Sequence, residues 1–228
     1  KKCIASRKGG EWDYRGVYTY LRGTYTHNNL DFTKDVLSMH DEGFDILSME
    51  PVVLKDSPYA ITEDDLPRVY EEYDRLVEAY MKCHREGNGF WFFHFNMDLS
   101  NGPCVAKRLS GCGAGHEYFA VSENGDLYPC HQFVGREGYR LGSLTEGVTN
   151  TELPQYFRES HVLNKEKCRD CWARFFCSGG CHANADLFHG DIRKPYEIGC
   201  AIQKKRLECA ILVQSLLALE KNEKKQEA

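Results

Sequence analysis

The sequence predicts an α/β fold: the C-terminal half of a partial (β/α) barrel, or a small open parallel sheet, followed by a small cysteine-rich unit. Three observations predict it. Residues 16–97 alternate strand-like apolar runs with amphipathic helical ones, which is the pattern of a parallel sheet whose crossovers carry helices. Composition changes at Asn101-Gly102-Pro103, a turn-rich break that reads as a domain boundary. Beyond it stand seven of the chain's eleven cysteines, between positions 112 and 200. Three strands cannot close a barrel. The opening K-K-C-I-A-S-R-K-G-G reads as a basic helix tail before a glycine stop, so we expect the C-terminal piece of a longer protein. That favours the half-barrel.

Residues 16–26 are rich in β-branched and aromatic residues and predict a first strand. Asp31 or Thr33 is expected to cap a helix that runs to about Glu42 and stops at Gly43. F-D-I-L-S-M-E-P-V-V-L predicts a second strand of the continuously apolar, doubly buried kind. Thr62 and Asp65 form a capping-box variant ahead of a long helix. In that helix Leu66, Val69, Tyr73, Leu76, Val77 and Tyr80 recur at three and four. F-W-F-F-H-F-N-M predicts the third strand. Past the boundary, Asn124-Gly125 between two short apolar runs signals a hairpin whose second strand delivers Cys130. A short strand (139–144), a helix (152–162), a helical stretch from Cys181 to Leu187 and a last amphipathic helix (198–221) complete the reading. The expected divisions are 1–101, 102–205 and 206–228.

Composition narrows function. The 228 residues suffice for a real core, with 42% apolar and 28% charged residues as in ordinary globular proteins. A net charge of −5 gives no sign of nucleic acid or of an anionic membrane as partner. The most apolar run, 210–219, is too short to span a bilayer, which takes about 20 residues. An odd cysteine count rules out complete pairing within one chain and, without an export signal, points to reduced thiols that hold metal. The spacing is C-x2-C-x5-C-x3-C from Cys168 through Cys171 and Cys177 to Cys181, then Cys200, with Cys112 and Gly125-x4-Cys130 upstream. Only one C-x2-C knuckle is present, whereas zinc ribbons bring two. Gly179-Gly180 permits a tight turn that aims neighbouring thiols at different centres. Spacing therefore favours iron–sulfur over zinc and leaves both open.

This seven-cysteine pattern resembles the SPASM domain, the C-terminal extension of radical SAM enzymes that modify ribosomally made peptides and proteins. The resemblance covers residues 102–205, and the strand–helix alternation before it looks like the last half of the radical SAM barrel. It implies two auxiliary 4Fe–4S clusters. Cys168, Cys171, Cys177 and Cys200 would hold the outer one, and Cys112, Cys130 and Cys181 the inner one. Cys104, or else a substrate thiolate, would supply the inner cluster's fourth ligand. The stretch from Asn101 to Val121, with D-L-Y-P-C-H-Q-F-V-G after it, looks most like the maturases of SCIFF peptides, which join a cysteine sulfur to carbon as a thioether. Anaerobic sulfatase maturases are the second resemblance. There an acidic residue generally follows the hairpin cysteine as base, where this chain has His131.

The resemblance further implies a Cys-rich precursor peptide as substrate and an electron donor such as a flavodoxin or ferredoxin. S-adenosylmethionine and a third 4Fe–4S cluster would belong to the full-length enzyme, in the cytoplasm. The Cys-x3-Cys-x2-Cys motif that holds that third cluster is absent from the chain, so these residues alone are expected to be inactive. Gly9-Gly10-Glu11 is read as a coincidental match to a SAM-binding segment. His131 is a candidate base or donor against a structural histidine. Arg22 and Glu50 on strands are candidates for SAM or substrate against a mutual or neighbouring salt bridge, and His94 is read as a core histidine. Cys3, Cys83 and Cys209 are read as ordinary thiols, Trp172 and Phe175-Phe176 as cluster shielding, and Lys204-Lys205-Arg206 as a solvated helix face.

Overall fold

The computed structural model describes residues 20–99 and 101–226. The expectations for the opening helix tail, for residues 16–19, for Cys3 and for Gly9-Gly10-Glu11 lie outside the described residues. The fold is mixed α/β. The chain divides into two compact units: Lys1–Asn101 joined by Ala201–Ala228, and Gly102–Cys200.

In the first unit, strands β1 (Leu21–Tyr25), β2 (Ile46–Pro51) and β3 (Trp91–Phe92) form a parallel sheet in the order β1-β2-β3. Leu21 stands beside Leu47, and Leu47 beside Phe92. Helices α1 (Phe32–Asp41) and α2 (Leu66–Arg85) make the crossovers. The side of α2 carrying Val69, Tyr73, Leu76, Val77 and Tyr80 is buried, as its periodicity requires. Tyr25, Phe32 and Tyr73 stack at ring distances of 4.4 and 4.8 Å.

Two local expectations change. The N-terminus of α1 is capped neither by Asp31, whose carboxylate meets Lys34, nor by the side chain of Thr33. Instead the buried carboxylate of Glu72, on α2, accepts the Thr33 amide at 2.9 Å, and the Thr33 hydroxyl donates to the Glu72 carbonyl. An orphan amide is thus satisfied by a neighbouring helix. The third strand is also shorter than expected, because the chain turns into a 3-10 segment at Phe93–Phe95. A strand would send Phe92 and Phe95 to opposite faces. The turn buries both completely, with ring centres 4.9 Å apart. The capping box of Thr62 and Asp65 forms as read.

A final helix, α8 (Glu197–Gln226), starts in the second unit and continues into the first. Here the basic run departs from a solvated face: Lys204 is exposed, but Lys205 binds Asp74 at 2.6 Å and Arg206 is buried. Arg206 repeats with Ile202, Cys209, Ala210 and Val213 on the buried side of α8, so helical phase overrides its charge. Its guanidinium donates to the Tyr73 hydroxyl (2.6 Å), the Met49 carbonyl (2.9 Å) and Glu50 Oε2 (2.9 Å). His94 Nε2 lies 3.1 Å from Glu50 Oε1, whereas the exposed Arg22 reaches it only at 4.0 Å.

The second unit is built from short pieces: α3 (Val105–Arg108), an antiparallel sheet of β4 (Ala120–Val121), β5 (Asp126–Tyr128), β6 (Gly142–Ser143) and β7 (Gly147–Val148), and helices α4 (Glu152–Glu159), α5 (Glu166–Arg169), α6 (Arg174–Cys177) and α7 (His182–His189). Gly125 takes the left-handed conformation in the β4–β5 turn (φ 82°), as the Asn-Gly pair predicts. Its core gathers Ala114, Tyr128, Cys130, Phe133, Phe157, Ala183 and Ile192. Among the described residues no helix is long and apolar enough to cross a membrane.

The Glu50 network can be tested in two ways. Arg206→Met strands the Glu50 carboxylate and should cost about 3–5 kcal/mol, read as a lower midpoint in urea unfolding. Adding Glu50→Gln to it should return part of that loss. Burial opposes ionisation of Glu50, yet His94 and Arg206 outweigh it and pull the carboxyl from 4.5 to about 2. Its stabilising share is therefore complete above pH 4.5 and lost as pH falls toward 2. His94, held below its ordinary 6.5 first by burial, adds to the loss from pH 6.5 downward. Melting temperature measured against pH should fall across this range in the native chain and fall less in Glu50→Gln.

Candidate metal centre

The cysteines of the second unit sit where short elements begin or end. Cys130 follows β5 and caps a 3-10 turn, Cys181 caps α7, Cys177 ends α6 and Cys168 lies in α5. Such termini leave backbone amides without helical partners, and here some of them face sulfur. The nearby amides of Gln132 and Phe133 favour the ionised form of Cys130, and those of Gly179 and Gly180 that of Cys177, although burial outweighs them in both. The turn after Cys177 places three successive residues in the left-handed region: Ser178 (φ 59°), Gly179 (85°) and Gly180 (72°). Gly111 lies close against Ser178 and Gly180, so the loop before Cys112 meets the loop that joins Cys177 to Cys181.

Charge interactions sort the thiols into two sets. Cys112, Cys130 and Cys181 act on one another and on Tyr118, whose hydroxyl donates to Cys112 Sγ at 3.8 Å. Cys168, Cys171 and Cys177 form the second set. Lys165 faces Cys168, Cys177, Cys181 and Cys200. Burial pushes the Cys130, Cys168 and Cys177 thiols above the ordinary value, so each holds its proton until a cation displaces it. Among the described residues no three His, Cys, Asp or Glu side chains stand close enough to share a single ion. A cubane, with its irons at different corners, takes thiolates set farther apart than one ion does. Two further features suit such a group: the Ser110 and Ser178 hydroxyls, beside these loops, are buried without a partner in the protein. The donor set, rich in thiols, fits iron–sulfur ligation.

Cys104 is exposed at the start of α3, which packs against α6. His131 is exposed on the turn after Cys130. Glu50 is occupied by Arg206 and His94 in the first unit, and Arg22 is mostly solvated. Cys83 and Cys209 lie in that unit apart from the thiol sets, Cys209 pushed up to about 12 chiefly by burial. Trp172 is 52% exposed, whereas Phe175 and Phe176 are half-buried, with the Arg174 guanidinium 4.9 Å above the Phe175 ring. The sequence reading missed Lys165, which is 1% exposed and donates from Nζ to the Gly179 carbonyl at 3.0 Å. Nothing in a single lysine three residues before Cys168 announces burial. It also missed Tyr118.

Residues 112–172 match the family model SPASM, described as an iron-sulfur cluster-binding domain. The chain is 35% identical over 101 residues to an uncharacterized protein of Archaeoglobus fulgidus, covering 42% of this chain and 24% of that protein. It is 25% identical over 140 residues to a cysteine-type anaerobic sulfatase-maturating enzyme of Clostridium novyi, covering 57% and 35%. The chain thus spans about a quarter and a third of these relatives' lengths. Among solved structures it resembles a hexahistidine-tagged anSMEcpe with bound AdoMet, at TM-score 0.63 and 18% identity over 89% of this chain and 55% of that one. Native anSMEcpe with AdoMet and the Kp18Cys peptide follows at TM-score 0.61 and 18% identity, over 89% and 57%. The chain therefore shares the fold of these structures over most of its length, and residues 112–172 match an iron-sulfur cluster-binding domain.

Proposed function

We propose that this chain is the auxiliary-cluster portion of a radical SAM enzyme that modifies a ribosomally made peptide. Cys168, Cys171, Cys177 and Cys200 would hold an outer 4Fe–4S cluster, and Cys112, Cys130 and Cys181 an inner one. The observation that carries the reading is that Cys112, Cys130 and Cys181 act on one another and on Tyr118, while Cys168, Cys171 and Cys177 act on one another, inside one small unit. The family match over 112–172 supports it. When bound, such clusters supply one-electron transfer and, where an iron lacks a protein ligand, a site for a substrate thiolate. The inner set has three thiols, so its fourth position falls to Cys104 or to the substrate.

The protein's own groups define what each set does. The Gln132 and Phe133 amides steady Cys130 as a thiolate, and Gly179 and Gly180 do the same for Cys177. Tyr118 offers its hydroxyl proton to Cys112. His131, exposed beside Cys130, would exchange a proton with a bound peptide. SAM, the third cluster and a flavodoxin- or ferredoxin-like donor belong to the whole enzyme in a reduced, cytoplasmic setting.

For the reaction itself we favour thioether formation on a Cys-rich precursor, because a histidine stands where sulfatase maturases generally place an acid. The second reading, sulfatase-type maturation, is favoured by the Clostridium novyi relative. Mass spectrometry of a Cys-rich precursor incubated with the full-length enzyme and SAM decides between them. A product that keeps its sulfur, lacks two hydrogens and shows a carbon–sulfur crosslink supports the first, and modification without such a bond overturns it.

Anaerobic preparation should give roughly eight irons per chain, with matching sulfide. Cys171→Ala or Cys177→Ala should lose about half of that iron and lower the melting temperature, since cluster binding and folding are coupled here. One or two zincs without sulfide, or unchanged iron in both variants, would count against the assignment.

A further inference from the structure

Lys165 is the least expected charge in the molecule. Its side chain is 1% exposed, and Nζ makes one hydrogen bond, to the Gly179 carbonyl at 3.0 Å. Gly179 lies between Cys177 and Cys181, and a β-carbon built on it would stand 3.6 Å from that Nζ and 3.3 Å from Val162. The ammonium is thus packed directly against this glycine. A buried ammonium with one neutral acceptor is costly unless an anion stands nearby. Among the described residues no carboxylate pairs with it. The groups around it that can carry negative charge are the sulfurs of Cys168, Cys177, Cys181 and Cys200. Its positive charge is felt at His182 too, next to Cys181.

We propose that the Lys165 ammonium is the fixed counter-charge of the thiolate sets: it offsets the charge gathered as those thiols bind iron, and it raises the reduction potential of the cluster on Cys168, Cys171, Cys177 and Cys200. This rests on the iron–sulfur reading above and adds to it a positioning residue that the ligand pattern does not contain. Reduction brings one electron and breaks no bond, so the added charge must be balanced electrostatically, and a nearby cation stabilises the reduced state. Lys165 is neither solvated nor screened, so its effect survives high salt.

The test is a dithionite titration of the purified protein, followed by electron paramagnetic resonance, on Lys165→Met, Lys165→Gln and Lys165→Arg. The neutral variants should give at least a tenfold lower ratio of reduced to oxidised outer cluster at a fixed solution potential, a midpoint lowered by about 59 mV or more, at 0.1 M and at 1 M salt. Lys165→Arg should stay near the native value. Native midpoints in a neutral variant that holds its full iron overturn the inference while leaving the cluster assignment intact. Loss of iron in both neutral variants but not in Lys165→Arg supports the counter-charge through assembly. Loss in all three assigns Lys165 to packing and overturns it. A native protein without iron and sulfide overturns this inference and the reading beneath it together.

Discussion

Crowded sulfur is the constraint on which the cysteine-rich unit depends. Its longest helices span eight residues and its strands two or three, so regular hydrogen bonding alone holds little of it together. Cys130 is itself part of the apolar core, between Tyr128 and Phe133. As free thiols, Cys130, Cys168 and Cys177 are neutral and tolerate burial. As thiolates they repel, and only added positive charge lets them converge. On the proposal above, the dipoles of backbone amides and a tyrosine hydroxyl and the charge of one ammonium would be the protein's share, with metal the remainder.

The sheet unit solves the opposite problem with the opposite sign. Arg206 enters on α8 and finds three acceptors at once: a phenol, a carbonyl and a carboxylate. A guanidinium whose fork is filled in this way can be fully buried where a lysine cannot reach three separate partners. Glu50 is then a structural anchor in this unit, and the strand-borne charge that looked like a ligand-binding group has a packing explanation. Glu72 follows the same logic at smaller scale, satisfying the start of α1 from α2.

Legibility in the sequence tracked the range of the forces. Periodicity exposed α2, and the Asn-Gly turn exposed the β4–β5 hairpin. These depend on neighbours a few residues apart. The third strand was read too long because Phe92 and Phe95 alternate plausibly in either backbone, and only burial of both on one side decides for a turn. Arg206 was readable in principle, since its phase matches Ile202 and Val213, but its charge was given more weight than its phase. Lys165 and the Glu72 cap depend on contacts fourteen and thirty-nine residues away, which no local pattern encodes.

The three-stranded sheet has a consequence for handling the molecule. Among the described residues β1 and β3 each pair on one side only, with Tyr20, Trp91 and Phe93 exposed at or beside their ends. Open rims of this kind recruit strands from other chains. Wherever such rims stay uncovered, association through them rises with concentration, and oxidising conditions that join exposed thiols such as Cys104 would compound it.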